Sequence, residues 1–344
     1  MSTESRLDPA IASLIELMPK VELHVHLEGT LEPELMFALA NRNGIRLPYA
    51  HVEAARTAYE FSNLQSFLNL YYAGCAVLVT REDFRDLTLA YLRRAAADNV
   101  RHVEPFFDPQ THTGRGIAFD TVIGGILDGL AAGEREFGIT SGLILSFLRD
   151  LSAESAAATL LEAEPWVDNL VAVGLDSAEI GNPPEKFAAV YARACALGLR
   201  SVAHAGEEGG AELVTRTLDA LGVDRIDHGV RAAEDPALVT RLAAERIPLT
   251  VCPLSNVKLK VIPSLEASSL RTLLDAGVAV TINSDDPAYF GGYIGENFTE
   301  CARAFTLTRH ELRALGVNAI AGSFASDARK SELLGELEVA FSVT

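Results

Sequence analysis

Leu170-Val171-Ala172-Val173-Gly174-Leu175-Asp176, an amphipathic stretch from Pro184 to Leu197, and then Ser201-Val202-Ala203-His204 read as strand, helix, strand. The outer pieces are short and β-rich, while the middle one spaces its apolar residues along one helical face. A strand that returns through a helix to a second strand lies parallel to it. The same rhythm extends in both directions. Upstream lie the run Val21 to Gly29, then His102-Val103-Glu104-Pro105-Phe106-Phe107 and Gly142-Leu143-Ile144-Leu145-Ser146-Phe147. Downstream lie Arg225-Ile226-Asp227-His228, Pro248-Leu249-Thr250-Val251-Cys252 and Val278-Ala279-Val280-Thr281-Ile282-Asn283. Amphipathic stretches separate them at Ala153 to Leu161, Ala211 to Leu221, Pro236 to Glu245 and Leu265 to Ala276. Eight such strands with helical crossovers predict an α/β fold of the (β/α)8 barrel type; the eightfold count favours it over an open doubly wound sheet.

Two segments depart from the rhythm. After a first helix at Pro9 to Leu17 and the first strand, the chain from Leu31 to about Asn99 is rich in Leu, Ala, Phe and Tyr at helical spacing. A mostly helical insertion there overlies whatever the end of the first strand builds, with Phe61 and Phe67 as aromatic candidates for a lid. The tail from about Thr308 to Thr344 has a helical Glu/Lys/Leu pattern and is expected to cover the outside or one end of the barrel. No linker or low-complexity segment divides the chain, so residues 1–344 are expected to form one domain.

Composition narrows the function classes. With 344 residues, 49% hydrophobic and 22% charged, the chain can bury a large core. Its formal net charge of −18 argues against nucleic acid, whose binding rests on Lys and Arg neutralising phosphates. Cys75, Cys195, Cys252 and Cys301 have no metal-knuckle spacing and suggest a reducing cytoplasm. The first twenty residues lack the basic start and apolar core of a signal peptide, and no run approaches the roughly 20 apolar residues of a membrane span. Small molecules are the expected partners; oligomeric state is not readable.

Barrels of this kind carry their chemistry on the C-terminal strand ends. His24 and His26 end the first strand, two residues apart and therefore on one face. Asp176 ends the fourth, His204 the fifth with Ala205-Gly206-Glu207 after it, His228 the sixth, and Asp285 with Asp286 the eighth. Three imidazoles and a carboxylate, His24, His26, His204 and Asp285, make a donor set suited to Zn2+, with Fe2+ or another divalent ion also served. Water activated there needs proton handling. Glu207 suits a proton donor, His228 a group that holds or deprotonates the water, and Asp286 a substrate contact.

Together these motifs resemble the adenosine/adenine deaminase family of the amidohydrolase superfamily. His24-Val25-His26-Leu27-Glu28-Gly29, His204-Ala205-Gly206-Glu207, His228-Gly229, Cys252-Pro253-Leu254-Ser255-Asn256 and Ser284-Asp285-Asp286-Pro287 look like the family's signatures in their order. The resemblance implies zinc ligands at His24, His26, His204 and Asp285, with Glu207 protonating N1 of the purine. It further implies water activation by His228 and Asp285, and a contact from Asp286 to N7. The implied reaction is hydrolytic replacement of a 6-amino group by oxygen.

Two departures point to the substrate. Adenosine deaminases carry Asp where this chain has Glu28, and usually a glycine where Glu179 falls. Both acids would take space that a sugar needs, and a buried carboxylate can accept the N–H that only a free base carries. The implied substrate is adenine, giving hypoxanthine and ammonia in purine salvage, with Asp286, Glu179, Glu28 and Asp176 as substrate contacts. Adenosine or an N6-substituted adenine is the alternative substrate, and a purine-binding metalloprotein without turnover the non-enzyme alternative.

Overall fold

β-Branched and aliphatic runs bounded by turn residues form strands where both faces can be buried, and a wholly parallel sheet requires that. The computed structural model describes residues 7–343. The part of the N-terminal reading that falls on Met1–Arg6, and Thr344 of the tail, lie outside the described residues. The strands are β1 (Lys20–Glu22), β2 in two pieces (Val100–Val103 and Phe106–Phe107), and β3 in two pieces (Thr140–Ser141 and Leu143–Leu148). β4 (Leu170–Asp176), β5 (Arg200–Ala205), β6 (Arg225–His228), β7 (Leu249–Val251) and β8 (Val280–Ile282) follow. Every neighbouring pair is parallel. Bridges from Val25 to Asp285 and from His26 to Phe106 join the first strand to the last and to the second, closing the barrel.

The first strand is shorter than the sequence reading of Val21 to Gly29. Its ladder stops at Glu22, and the Leu23 amide then donates to the Asn283 side chain at 2.9 Å. Beyond it, Val25 and His26 are held by single bridges to Asp285 and Phe106 instead of a continuous ladder. β2 is split because Pro105 has no N–H to donate. Its carbonyl still accepts from Ile144 at 3.0 Å, so the strand resumes in register.

The helix α1 (Pro9–Leu17) is capped by Asp8. Between β1 and β2 lie α2 (Pro33–Arg42), α3 (Val52–Ala58), α4 (Leu64–Gly74) and α5 (Arg81–Ala97). After β2 come α6 (Pro109–Thr113) and α7 (Phe119–Phe137). The last helix of the segment from Leu31 to Asn99 does not overlie the mouth, since α5 packs along α7. The approach is close because a side chain at Gly125, Gly129 or Gly133 would meet Phe84, Thr88 or Leu92 at under 3.0 Å. The stretch Leu265 to Ala276 is also broken. A 3-10 turn at Leu265–Ala267 gives way to a helix at Leu270–Asp275, because Ser268 Oγ accepts from the Leu270 amide and Ser269 Oγ donates to the Val230 carbonyl. In the tail, helices over Arg309–Gly322 and Asp327–Val343 form; the first packs on β8 and β1.

Phe106, Ile144, Ala172 and Val202 fill the barrel interior, with Phe324 against them. Below, the fully buried Arg225 pairs with the fully buried Glu104 and lies 4.4 Å over the Phe324 ring. Glu104 also accepts from His102 Nε2 at 3.2 Å and from the Phe324 amide. Removing one partner of such a pair leaves an uncompensated buried charge. Glu104→Gln should therefore lower unfolding stability in urea by about 3–5 kcal/mol, and Glu104→Gln with Arg225→Met should regain most of it.

Candidate active site

Polar residues at the C-terminal strand ends converge on one mouth. His24 and His26 face the same side, with ring centroids 5.6 Å apart, and both approach Asp285: Nε2 to Oδ1 is 3.4 Å from His24 and 3.5 Å from His26. His26 Nε2 lies 3.2 Å from His204 Nε2. One donor atom from each of His24, His26, His204 and Asp285 lies within 4.8 Å of the others, and all four side chains are buried. His24 Nε2 is buried without a hydrogen-bond partner, its ring fixed from behind by Nδ1 against the Thr250 carbonyl at 3.1 Å and hydroxyl at 3.0 Å. An orphaned nitrogen aimed at three other donors, with its ring orientation set by a second layer, fits a divalent cation. Thr250 in turn donates to Asp227 at 2.8 Å, and Asp227 lies 3.7 Å from His204 Nδ1. Phe106 forms the floor, its ring 5.2 Å from His24 and 4.9 Å from His26.

Alternation along a strand would let only one of two adjacent residues face the mouth. Here Asp227 and His228 both serve it, as do Asp285 and Asp286. The backbone accounts for this: His228 has φ 63° and Asp285 φ 66°, left-handed values rare outside glycine. Such residues cost about 1–3 kcal/mol each and persist where the surroundings hold them.

Electrostatics divides the groups. Burial, with the charges of His24 and His26, pushes His228 down to about 3 against the pull of Asp285. Burial likewise lowers His26 to about 4. Burial opposes ionisation of Asp285, yet the charge and hydrogen bond of His24, with His228 and His26, hold it well below the usual carboxylate range. Burial and the neighbouring Asp285 raise Glu207 and Asp286 well above that range. His228 Nε2 sits 3.6 Å from Glu207 Oε2 and 3.7 Å from Asp285 Oδ2. The site therefore disfavours charge on His228, Glu207 and Asp286 and favours it on Asp285. Asp286 nests against Gly29, where a Cβ would fall 1.9 Å from its Oδ1.

A cavity opens above these groups, lined also by Phe67, Tyr71 and Tyr72 of α4. Phe67 reaches it; Phe61 packs behind, edge-on to Phe67 at 5.3 Å. Asp176 lines the cavity, with Oδ2 3.6 Å from His26 Nδ1. Glu28 and Glu179 are absent from its wall. Glu28 Oε1 accepts from His112 Nε2 at 2.9 Å and from the Asp108 amide at 3.2 Å. Glu179 corrects the reading of it as a substrate acceptor. Its two oxygens accept from the amides of Gly206, Glu207, Glu208 and Gly209 at 2.8–3.2 Å, so it braces the turn that carries Glu207. The sequence reading missed Asp108, Asp227, Thr250 and Arg149. Asp227 and Thr250 lay within quoted strands, and the polar Thr250 amid apolar neighbours was the available signal. The fully buried Arg149 donates to the His204 carbonyl at 2.8 Å and to the Asn182 carbonyl.

The family model described as adenosine deaminase matches residues 19–340. An adenine deaminase from Rhodospirillum rubrum is 58% identical over 331 residues, covering 96% of this chain and 98% of the relative. One from Cupriavidus metallidurans is 57% identical over 338 residues, covering 98% and 96%. Among solved structures, adenine deaminase from Arthrobacter aurescens superposes with a TM-score of 0.93 at 52% identity, covering 94% of this chain and 99% of that one. An amidohydrolase from Burkholderia ambifaria with bound Zn gives 0.90 at 29% identity, covering 99% and 96%.

The amide cage around Glu179 carries its own prediction. Glutamine at that position keeps the shape but turns one acceptor into a donor facing amide N–H groups. Glu179→Gln should cost about 3 kcal/mol in urea unfolding, whereas the exposed Glu162→Gln should cost nothing measurable.

Proposed function

The chain belongs to the adenosine deaminase family, on its adenine deaminase branch, and from that premise we propose that it hydrolyses adenine to hypoxanthine and ammonia with zinc, in purine salvage. The observation that carries this is one mouth that joins the His24, His26, His204 and Asp285 donor set to Glu207, His228 and Asp286. Identities of 57–58% to adenine deaminases over nearly the whole chain support the same substrate, and a relative solved with bound Zn supports the metal. We take the chain as one domain, with α2 to α4 as its cover.

Zinc held by His24, His26, His204 and Asp285 would act as a Lewis acid and bring the pKa of water toward neutrality. The protein's own groups do the rest. Glu207, kept protonated by burial and by Asp285, gives its proton to ring N1 and leaves C6 electron-poor. Water adds at C6 as neutral His228 takes one of its protons and passes it to the amino group. The C6–N bond breaks, ammonia leaves, and the second water proton restores Glu207. Asp286, protonated and pressed against Gly29, donates to N7 and fixes the ring. Asp176 faces the same cavity as a further contact, and Glu28 acts from behind the wall through the Asp108 amide.

Ultraviolet assay of adenine and adenosine in parallel tests the reading; turnover of adenosine far faster than adenine would overturn it. Glu207→Gln should lower kcat by about 10³-fold while hypoxanthine still binds, because general acid catalysis contributes on that scale. Chelation should abolish turnover and lower the melting temperature, and added zinc should restore both.

A further inference from the structure

We propose that Asp108 is the residue that selects a free base over its N9-substituted counterpart, a carboxyl oxygen accepting the ring N–H that a nucleoside lacks. This rests on the adenine reading above. Asp108 directly follows β2, is 3% exposed and lines the cavity. Its Oδ1 is buried and meets no N–H donor, and its Oδ2 meets the Tyr71 hydroxyl, at 3.4 Å. Its amide is anchored on Glu28 Oε1, which His112 holds in turn, so the side chain is presented from a fixed backbone.

A buried carboxylate oxygen left bare costs free energy, and a second acid beside it makes the cost larger. The neighbour is Asp176, whose oxygens also meet no N–H donor; burial raises the pKa of both carboxyls and they hydrogen-bond each other, so one proton is shared and the remaining oxygens are acceptors. Acceptors crowded this way on a cavity wall are complementary to a ligand donor. With the 6-amino group toward the metal donors, N1 at Glu207 and N7 at Asp286, adenine has one donor left, the N–H of its far edge. In a nucleoside that nitrogen carries carbon, which offers no hydrogen and needs room. The two acids that the sequence reading assigned to this task do not line the cavity: Glu179 is held by four amides, and Glu28, fixed through Oε1 by His112 and the Asp108 amide, keeps its bare Oε2 behind the wall. Asp176 Oδ2 lies 3.6 Å from His26 Nδ1, on the side of the metal donors, whereas Asp108 Oδ2 meets Tyr71 of α4, which puts Asp108 at the far edge of the ligand.

The test measures inhibition constants of hypoxanthine and 9-methylhypoxanthine, and kcat/KM for adenine, in the zinc-replete wild type, Asp108→Ala and Asp108→Asn. Expected is a loss of about 10²-fold for hypoxanthine and adenine in Asp108→Ala, with the 9-methyl compound unchanged or tighter, so that the preference collapses. Asp108→Asn, nearly isosteric, should shift the ratio in the same direction by about 10-fold and decides the matter if the alanine variant does not fold. Equal losses for both ligands at wild-type zinc content would mean a structural role and overturn the proposal, as would an unchanged ratio. Failure of the wild type to turn over adenine would count against the reaction alone, since the binding ratio needs no turnover. Failure of the wild type to prefer hypoxanthine over its 9-methyl form would overturn the role of Asp108.

Discussion

The seam where the last strand meets the first is the contact on which the rest depends. The Asp285 amide donates to the His24 carbonyl and the His26 amide to the Asp285 carbonyl, each at 3.0 Å. The same three residues supply three of the four clustered donors. Closing the barrel and assembling the site are thus one event, and neither can be displaced without the other. Glu22 reinforces the seam from below: its Oε1 accepts from the Ser284 amide and hydroxyl, and its Oε2 from Tyr91 at 2.7 Å. A fully buried acid pushed up to about 7 by that burial is retained beside the site because it fixes the residue preceding Asp285.

Much of this was legible in the sequence because the information was local. Strand periodicity and short β-rich runs marked the eight barrel positions, and β4, β6 and the helices over Pro9–Leu17, Ala211–Leu221 and Pro236–Glu245 fall on the expected residues. The rule that polar residues at strand ends meet at one mouth brought His24, His26, His204, His228 and Asp285 together without any knowledge of loop paths. What escaped depends on contacts distant in sequence. Glu179 looked like a free loop acid until the turn at 206–209 folded over it. Asp108 follows a strand whose break at Pro105 was not seen, and α5 reads as one more helix of an insertion until its match to Gly125, Gly129 and Gly133 of α7 is known. The left-handed backbone at His228 and Asp285 has only a weak signature, since His and Asp adopt it more often than most residues yet usually do not.

The site concentrates acids in a way that works against the folded state. Glu28, Asp108, Asp176, Glu207, Asp285 and Asp286 are all buried near one another, and burial holds most of them off their ordinary ionisation. Such conflicts are expected where geometry is kept for chemistry at the expense of local stability. The compensation lies in the surrounding shell, where His112 holds Glu28, Thr250 holds Asp227, Arg149 holds the His204 carbonyl and Glu179 gathers the amides of residues 206–209.

The plug made by Glu104, Arg225 and Phe324 has a consequence for traffic. With that end of the barrel sealed by a buried ion pair and a ring, the interior is a blind well. A molecule that reaches the histidines enters and leaves by the mouth that Phe67 and Leu68 help to line. Arrival of the next molecule therefore waits on departure of the last, and Tyr71 and Tyr72, which tie α4 to Asp108 and Ser177, line the well on the α4 side.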